Sequence, residues 1–468
     1  MQHSVISYND LDKLVFRLDA EYYQPAYIEL EKDIASYETC SIREARGSID
    51  CSAFYPSIIQ YYNDKGLGIP FLRVNEIQNG LLHITKDTVF LPEEILNENP
   101  STIAQCYPGD IIIAKGGNSL AKVALLSEEH PEYAICRDVV VLRTKKLYKL
   151  NKHYVWIFLH SDIGQKLLLR TASQTGQPHL TVEAIYQLAI PIFSEPFQRE
   201  FENLYESSWS LKQTALVKYN QAQTFFLAEL GLSNWQPKHR LTFIKNYSDT
   251  DKAGRIDAEY YQPKYDEIIN AIKSYPGGWD TLGNLVSIKK CVEVGSEAYI
   301  DEGNIPFVRV SNLSPFEITE EKYISSVLYE ELSQHQPKQG EILFSKDATP
   351  GIAYHLKEKP KKMIPSGGIL RLKLKTDLFN EDYLTLVLNS LIVKEQINRD
   401  VGGSVILHWR PEQVRETLIP ILPEDKQSLI KQKITESFNL RKQSKHLLEC
   451  AKRAVEMAIE QNEDAAVK

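Results

Sequence analysis

The stretch RLDAEYYQP at 17–25 returns as RIDAEYYQP at 255–263. A nonapeptide repeated across half a chain marks an internal duplication, and 468 residues are in any case too many for a single core. Three further echoes keep the same order. PFLRVNEIQ from Pro70 recurs as PFVRVSNLS from Pro306, and PGDIIIAKGG from Pro108 recurs more loosely as QGEILFSKDA from Gln339. The third, HLTVEAIYQLAIPI from His179, aligns with HWRPEQVRETLIPI from His408 without a gap. The offset narrows from the first pair to the last, which places small deletions in the second copy's connecting loops, where length change is tolerated.

Each copy reads as a mixed unit. The opening segment to about Tyr37 has helical spacing in Leu11, Leu14, Val15, Tyr22, Tyr23, Tyr27, Leu30 and Ile34, with Pro25 near a helix start. Tyr260, Tyr261, Tyr265, Ile268, Ile269 and Ile272 repeat the spacing, and these tyrosines are read as core. Short apolar runs punctuated by Gly, Pro, Asn and Asp then predict strands at 70–74, 110–114, 122–126 and 138–143, with a helix at 162–170. The second copy predicts strands at 306–310, 341–345, 351–356 and 369–374.

A long glycine-free segment follows each copy. Residues 195–230 carry Phe197, Phe201, Leu204, Leu211, Ala215, Tyr219, Ala222 and Phe226 at a heptad-like spacing, and Gly231 closes the run. Residues 424–461 repeat the pattern with Ile430, Ile434, Phe438, Leu448, Ala451, Val455 and Ala458. Either helix alone would expose an apolar stripe, so the two are expected to pack together, antiparallel if the copies are related by a pseudo-twofold axis. The connector 233–254 reads as a polar loop and the tail 462–468 as frayed.

Hydrophobic content of 43% and charged content of 25% are those of a globular protein, and no apolar run approaches the roughly 20 residues of a membrane helix. The N-terminus lacks the basic-then-apolar plan of a signal peptide, so a cytoplasmic location is expected. Six scattered cysteines without a CxxC pair predict buried thiols in place of disulfides or zinc ligands. A net charge of −8 does not exclude a polyanionic partner, because counter-ion release depends on the basic groups at the contact face.

Signatures of catalysis are missing: the sequence has no P-loop, GxGxxG after a strand, HExxH or GxSxG, nor the tetrapeptide of an amino-methyltransferase. The EEK at Glu320 imitates half of a nuclease site but suits an ordinary charged segment. His179 and His408 have no ligand companions at metal spacing. What the copies share is polar loops at strand ends. RVNEI supplies Arg73 and Asn75, and RVSNL supplies Arg309, Ser311 and Asn312, residue types that bond base edges or grip phosphate. AKGGNSLAK offers Lys115, Asn118, Ser119 and Lys122, and SKDATPG offers Lys346 and Thr349. Gln174, Gln177 and His179 in TASQTGQPH are matched by His408 and Arg410 in the DVGGSVILHWR of the second copy. The loops differ between copies far more than the framework, which suits one scaffold recognising two different targets.

In this order and duplication the motifs resemble the specificity subunit of a type I restriction-modification system, over essentially the whole chain. The resemblance implies an α+β protein with two similar mixed α/β target recognition domains separated by two long antiparallel coiled-coil helices. It places target recognition domain 1 at 1–193, a spacer helix at 194–231, a linker at 232–254, target recognition domain 2 at 255–422, a second spacer helix at 423–462 and a frayed tail at 463–468. It implies a non-catalytic subunit that reads double-stranded DNA in two halves and docks modification (methyltransferase) subunits, with nuclease and translocase on a separate restriction subunit. No cofactor is expected in this chain; S-adenosylmethionine, ATP and Mg belong to those partners. SKDATPG departs from the pattern by placing Asp347 and Pro350 where the first copy has GGNS. The readings that compete are a specificity module of a related modification or defence system and a two-domain protein-binding scaffold.

Overall fold

The computed structural model describes residues 5–8, 11, 17–53, 58–63, 66–85, 88–117, 120–172, 178–300, 303–401 and 408–467. The chain forms two compact units, one of Met1–Lys212 with Lys442–Lys468 and one of Gln213–Arg441.

In the first unit a six-stranded sheet runs in the order Ser48–Cys51, Val139–Arg143, Ile111–Ala114, Val123–Leu125, Leu81–Leu82, Ile77–Gln78. Its two faces serve different cores. Ile111, Ile113, Val140 and Leu142 point to helices Lys152–His160 and Asp162–Arg170 and to the long helices, whereas Ile112, Ala114, Val139 and Val141 point to a second core. Covered on both sides, IIIA and VVVL are continuously apolar where a half-exposed strand would alternate. The second core is closed by a four-stranded sheet in the order Phe90–Leu91, Ile69–Leu72, Tyr133–Ile135, Gln105–Cys106.

The second unit centres on a four-stranded sheet, Val286–Lys290, Ile369–Leu374, Ile342–Ser345, Ala353–His355. Ile342, Phe344, Leu370 and Leu372 face its helices, and Leu343 and Ile369 face a smaller cluster beyond. Phe307–Val308 pairs in parallel with Ile364–Pro365, as Ile69–Leu72 does with Tyr133–Ile135 in the first unit.

The long helices are Glu195–Glu229 and Glu424–Glu460. Inside the first unit, Phe197, Phe201 and Tyr205 share a core with Leu448, Ala451 and Val455, and Ser208 and Ser444 exchange hydroxyl bonds at 2.8 Å. Inside the second, the Ser437 hydroxyl donates to the Ala215 carbonyl at 2.7 Å, while Lys218 meets Glu436 at 2.8 Å and Lys433 meets Gln221 at 3.2 Å. Rising numbers on one helix meet falling numbers on the other, so the pairing is antiparallel in both units. Serine and alanine at the closest points let the backbones approach, and the hydroxyls spend their hydrogen bonds across the seam.

The repeat is legible bond by bond. The Tyr154 hydroxyl donates to the Pro191 carbonyl at 2.8 Å, and Tyr383 donates to Pro420 at 2.8 Å. Gln198 donates to the Phe193 and Lys149 carbonyls, and Gln427 to those of Leu422 and Leu378. The nonapeptide itself is a strap: Arg17 pairs with Asp19 and reaches the Ala172 carbonyl at 2.9 Å, and Arg255 pairs with Asp257 and reaches the Asp400 carbonyl at 2.8 Å.

Three local expectations change. The opening helix spans only Pro25–Ala35, because Asp19 accepts the Tyr22 amide in a turn and Gln24 before the proline is extended. The connector contains a helix, Tyr247–Ala253, closed by Gly254 at φ 60°. The tail forms the helix Glu463–Val467, and Glu463 accepts the Ser194 amide at 2.8 Å.

Candidate nucleic-acid interface

Main-chain bonds bring the three polar loops of each unit to one place. In the first unit the Cys136 amide donates to Leu72 at 2.9 Å, the Lys115 amide to Asp138 at 2.8 Å, and the Leu180 amide to Lys115 at 2.9 Å. The residues after the 69–72 strand, the 111–114 strand and the 178–180 segment therefore end beside one another. The second unit repeats all three bonds: Ser366 to Val308 at 2.8 Å, Lys346 to Gly368 at 2.9 Å, and Trp409 to Lys346 at 2.9 Å.

Side chains within this shared frame take several roles. Arg73 and Arg309 each begin a 3-10 turn, and both guanidinium groups are held by carboxylates, Glu76 at 3.1 Å and Glu321 at 2.6 Å. Asn75 and Ser311 stand exposed at the crests of these turns. Asn312 does not: it is 2% exposed, and its carboxamide accepts the Arg309 amide at 3.1 Å and approaches Thr319 at 3.4 Å. Expected to touch DNA, Asn312 instead caps its own turn, the place Glu76 fills in the first unit.

Lys115 is half-buried and Lys122 exposed beside the same loop. His179 is exposed and lies over Gly116, where a Cβ would stand 2.7 Å from the imidazole Nδ1 and 3.5 Å from the Asp138 Oδ1. In the second unit Lys346 pairs with Asp347, and His408 Nδ1 meets the Asp347 Oδ1 at 2.9 Å. Thr349 is exposed on the turn that Ala348 enters at φ 58°. Arg410 is exposed at the start of the helix Pro411–Arg415, bonded to Gln413 at 3.3 Å. Asn118, Ser119, Gln174 and Gln177 lie outside the described residues. Sequence reasoning passed over Asp138 and gave Asp347 no role, since a carboxylate near a strand end carries no periodic signal.

The surroundings offer little for covalent or metal chemistry. Burial pushes the Cys136 thiol up to about 11 and the Cys291 thiol up to about 12, keeping both protonated and unreactive at neutral pH. Among the described residues no group of three His, Cys, Asp or Glu side chains could hold a metal ion, and no helix is long and apolar enough to cross a membrane. The strand-end frame thus carries different polar side chains in the two units.

The profile of the type I restriction modification DNA specificity domain matches residues 276–449, which include the second unit's convergent loops. Over those residues the chain is similar to the specificity domain of type I restriction-modification systems. The matched residues cover the second unit's sheet and most of the helix Glu424–Glu460. The fold is similar to the type I restriction-modification S subunit from M. genitalium, at 12% identity and TM-score 0.35, covering 92% of this chain and 96% of that one. It is also similar to the HsdS subunit from Thermoanaerobacter tengcongensis, at 15% identity and TM-score 0.27, covering 89% and 97%. No curated protein matches the chain.

Proposed function

We propose that each unit reads one half of a bipartite DNA target through its convergent strand-end loops, and that the paired helices set the unread gap and dock modification subunits. The observation that carries this reading is a frame of three main-chain bonds present twice, around side chains that differ between the copies. A single target would favour two like surfaces; two half-sites require two unlike surfaces on one scaffold. Loops of this size suit the major groove, where all four base pairs are distinguishable. On this reading methyl transfer belongs to the modification subunits and cleavage to a restriction subunit. S-adenosylmethionine, ATP and Mg are then their cofactors, and the complex works in the cytoplasm, where the DNA is.

The test is selection of a randomised duplex library by the full chain assembled with its modification partner. The expected outcome is a two-part motif with a fixed gap, and affinity that falls with log salt at about 0.9 per phosphate contacted. Insertion of a heptad into each long helix should lengthen the gap and leave both half-motifs intact. Salt-independent binding, or enrichment of no motif, would overturn the reading.

A further inference from the structure

The two convergent sites differ by an exchange. The first unit has glycine after its loop lysine, Gly116, and aspartate across the main-chain bond, Asp138; the second has Asp347 after Lys346 and Gly368 across the bond. Each unit therefore has one carboxylate, delivered from opposite sides of one small space. The two sides lie within ordinary contact distance of each other. A Cβ on Gly368 would stand 3.5 Å from the Asp347 Cβ and 3.7 Å from its Oδ2, and a Cβ on Gly116 would stand 3.5 Å from the Asp138 Oδ1. A histidine borders that space in both units, His179 over Gly116 and His408 bonded to Asp347 at 2.9 Å.

We infer that the aspartate–histidine pair is a specificity-determining element, in which Asp347 positions His408 to read a base edge in the second half-site. This rests on the DNA-reading function proposed above. A carboxylate can only accept, so it fixes the proton on His408 Nδ1 and turns Nε2 into an acceptor in the neutral ring. An acceptor finds no partner on a phosphate oxygen, but it matches the exocyclic amino groups of adenine or cytosine in the major groove. His408 is free to make the contact: its side chain is 67% exposed, while the adjacent Trp409 is buried and anchors it. Asp347 is held in turn by Lys346 and by the bridge of its main chain to His408. The exchange of Asp and Gly between copies is then a compensated change, keeping one carboxylate and one histidine around the same space while altering the side from which the carboxylate arrives.

The experiment is the same library selection at pH 8, with four proteins. Wild type should enrich a two-part motif. Its failure to do so would remove the DNA-reading function itself, whereas an error confined to the aspartate–histidine pair leaves the wild-type motif in place. His408→Gln, at an exposed site that leaves the core untouched, should relax one base position in one half-motif by about tenfold in preference, within the range of one lost base contact, and leave the other half unchanged. Asp347→Gly should relax the same position. Asp347→Gly with Gly368→Asp should restore it, since the carboxylate then arrives from the side used in the first unit; Val310, which a Cβ on Gly368 would meet at 2.9 Å, has its sequence counterpart in Val74 of the unit that carries Asp138. An unchanged motif in the single variants would overturn the inference, as would a uniform loss of affinity without a change of motif, or a double variant that fails to recover the position.

Discussion

The two units spend the same hydrogen bonds on their frames and different ones on their interiors. Tyr154 and Tyr383 make the same bond, but the residue just before each is His153 in one unit and Asp382 in the other. Burial lowers the His153 pKa to about 4, with Lys152 adding to it, so the ring is neutral in the fold. Asp382 is also buried, which opposes its ionisation, yet His355 at 2.8 Å and Lys357 at 3.0 Å hold its carboxyl below the usual range. A second contrast lies in the sheets. Val141 sits opposite Ile112 in the first, while Arg371 sits opposite Leu343 in the second and forms a buried pair with Glu341. A duplicated framework thus tolerates different buried polar groups in its two copies, Asp110 with Arg143 in one sheet and Glu341 with Arg371 in the other, provided each buried charge has a partner.

That comparison can be broken in four ways. Truncating the shared tyrosine, Tyr154→Ala or Tyr383→Ala, should cost about 4 kcal/mol in either unit, near the figure for other large buried side chains. Urea unfolding with proteolytic mapping of the first segment released checks it, and unequal costs would show that the frames are not equivalent. Glu341→Gln should destabilise the second unit by about 3 kcal/mol by leaving the buried Arg371 without its carboxylate, more than Asp110→Asn costs the first unit, where the partner Arg143 is partly exposed.

Acid should separate the units next. His153 has a folded pKa below its unfolded value of about 6.5, so the unfolded chain binds more protons between pH 6.5 and about 4, and stability falls as pH drops through that window. His153 accounts for a loss of about 2 kcal/mol at pH 5, and His160 in the same unit, also lowered to about 4 by burial, adds a like amount, so His153→Asn should remove about half of the first unit's acid loss. Asp382, with its pKa lowered, keeps its contribution until the pH falls below the ordinary carboxylate range. An unfolding midpoint for the first unit that ignores pH between 6.5 and 4.5 would refute the assignment. The smallest effect belongs to the half-exposed pair of Lys218 and Glu436: Lys218→Ala should change stability by under about 0.5 kcal/mol.

Periodicity and repetition made the frame readable. The helices at 195–230 and 424–461 and the strands at 110–114 and 369–374 are each within a residue or two of the structure, because apolar spacing reflects burial directly. Hydrogen-bonding residues were harder, since the same type suits a DNA contact and a turn cap. Asn312 looks like a base reader and caps a turn; Arg73 looks like a phosphate grip and has its charge held by Glu76. The connector helix at Tyr247–Ala253 and the tail helix at Glu463–Val467 were hidden for a related reason. Neither has an amphipathic stripe, and the tail is held by a carboxylate bond to Ser194, far away in sequence.

The first unit is assembled from two stretches of chain, the second from one. Leu448, Ala451, Val455 and Ala458 complete the core around Phe197 and Phe201, and the Tyr37 hydroxyl donates to the Ala458 carbonyl at 2.8 Å. On a ribosome these partners emerge after the whole of the second unit. The lobe made first must therefore wait, its apolar seam uncovered, while the lobe made second closes from contiguous sequence. Birth order and order of completion are reversed, and the nascent first lobe is the part of this protein most in need of a chaperone.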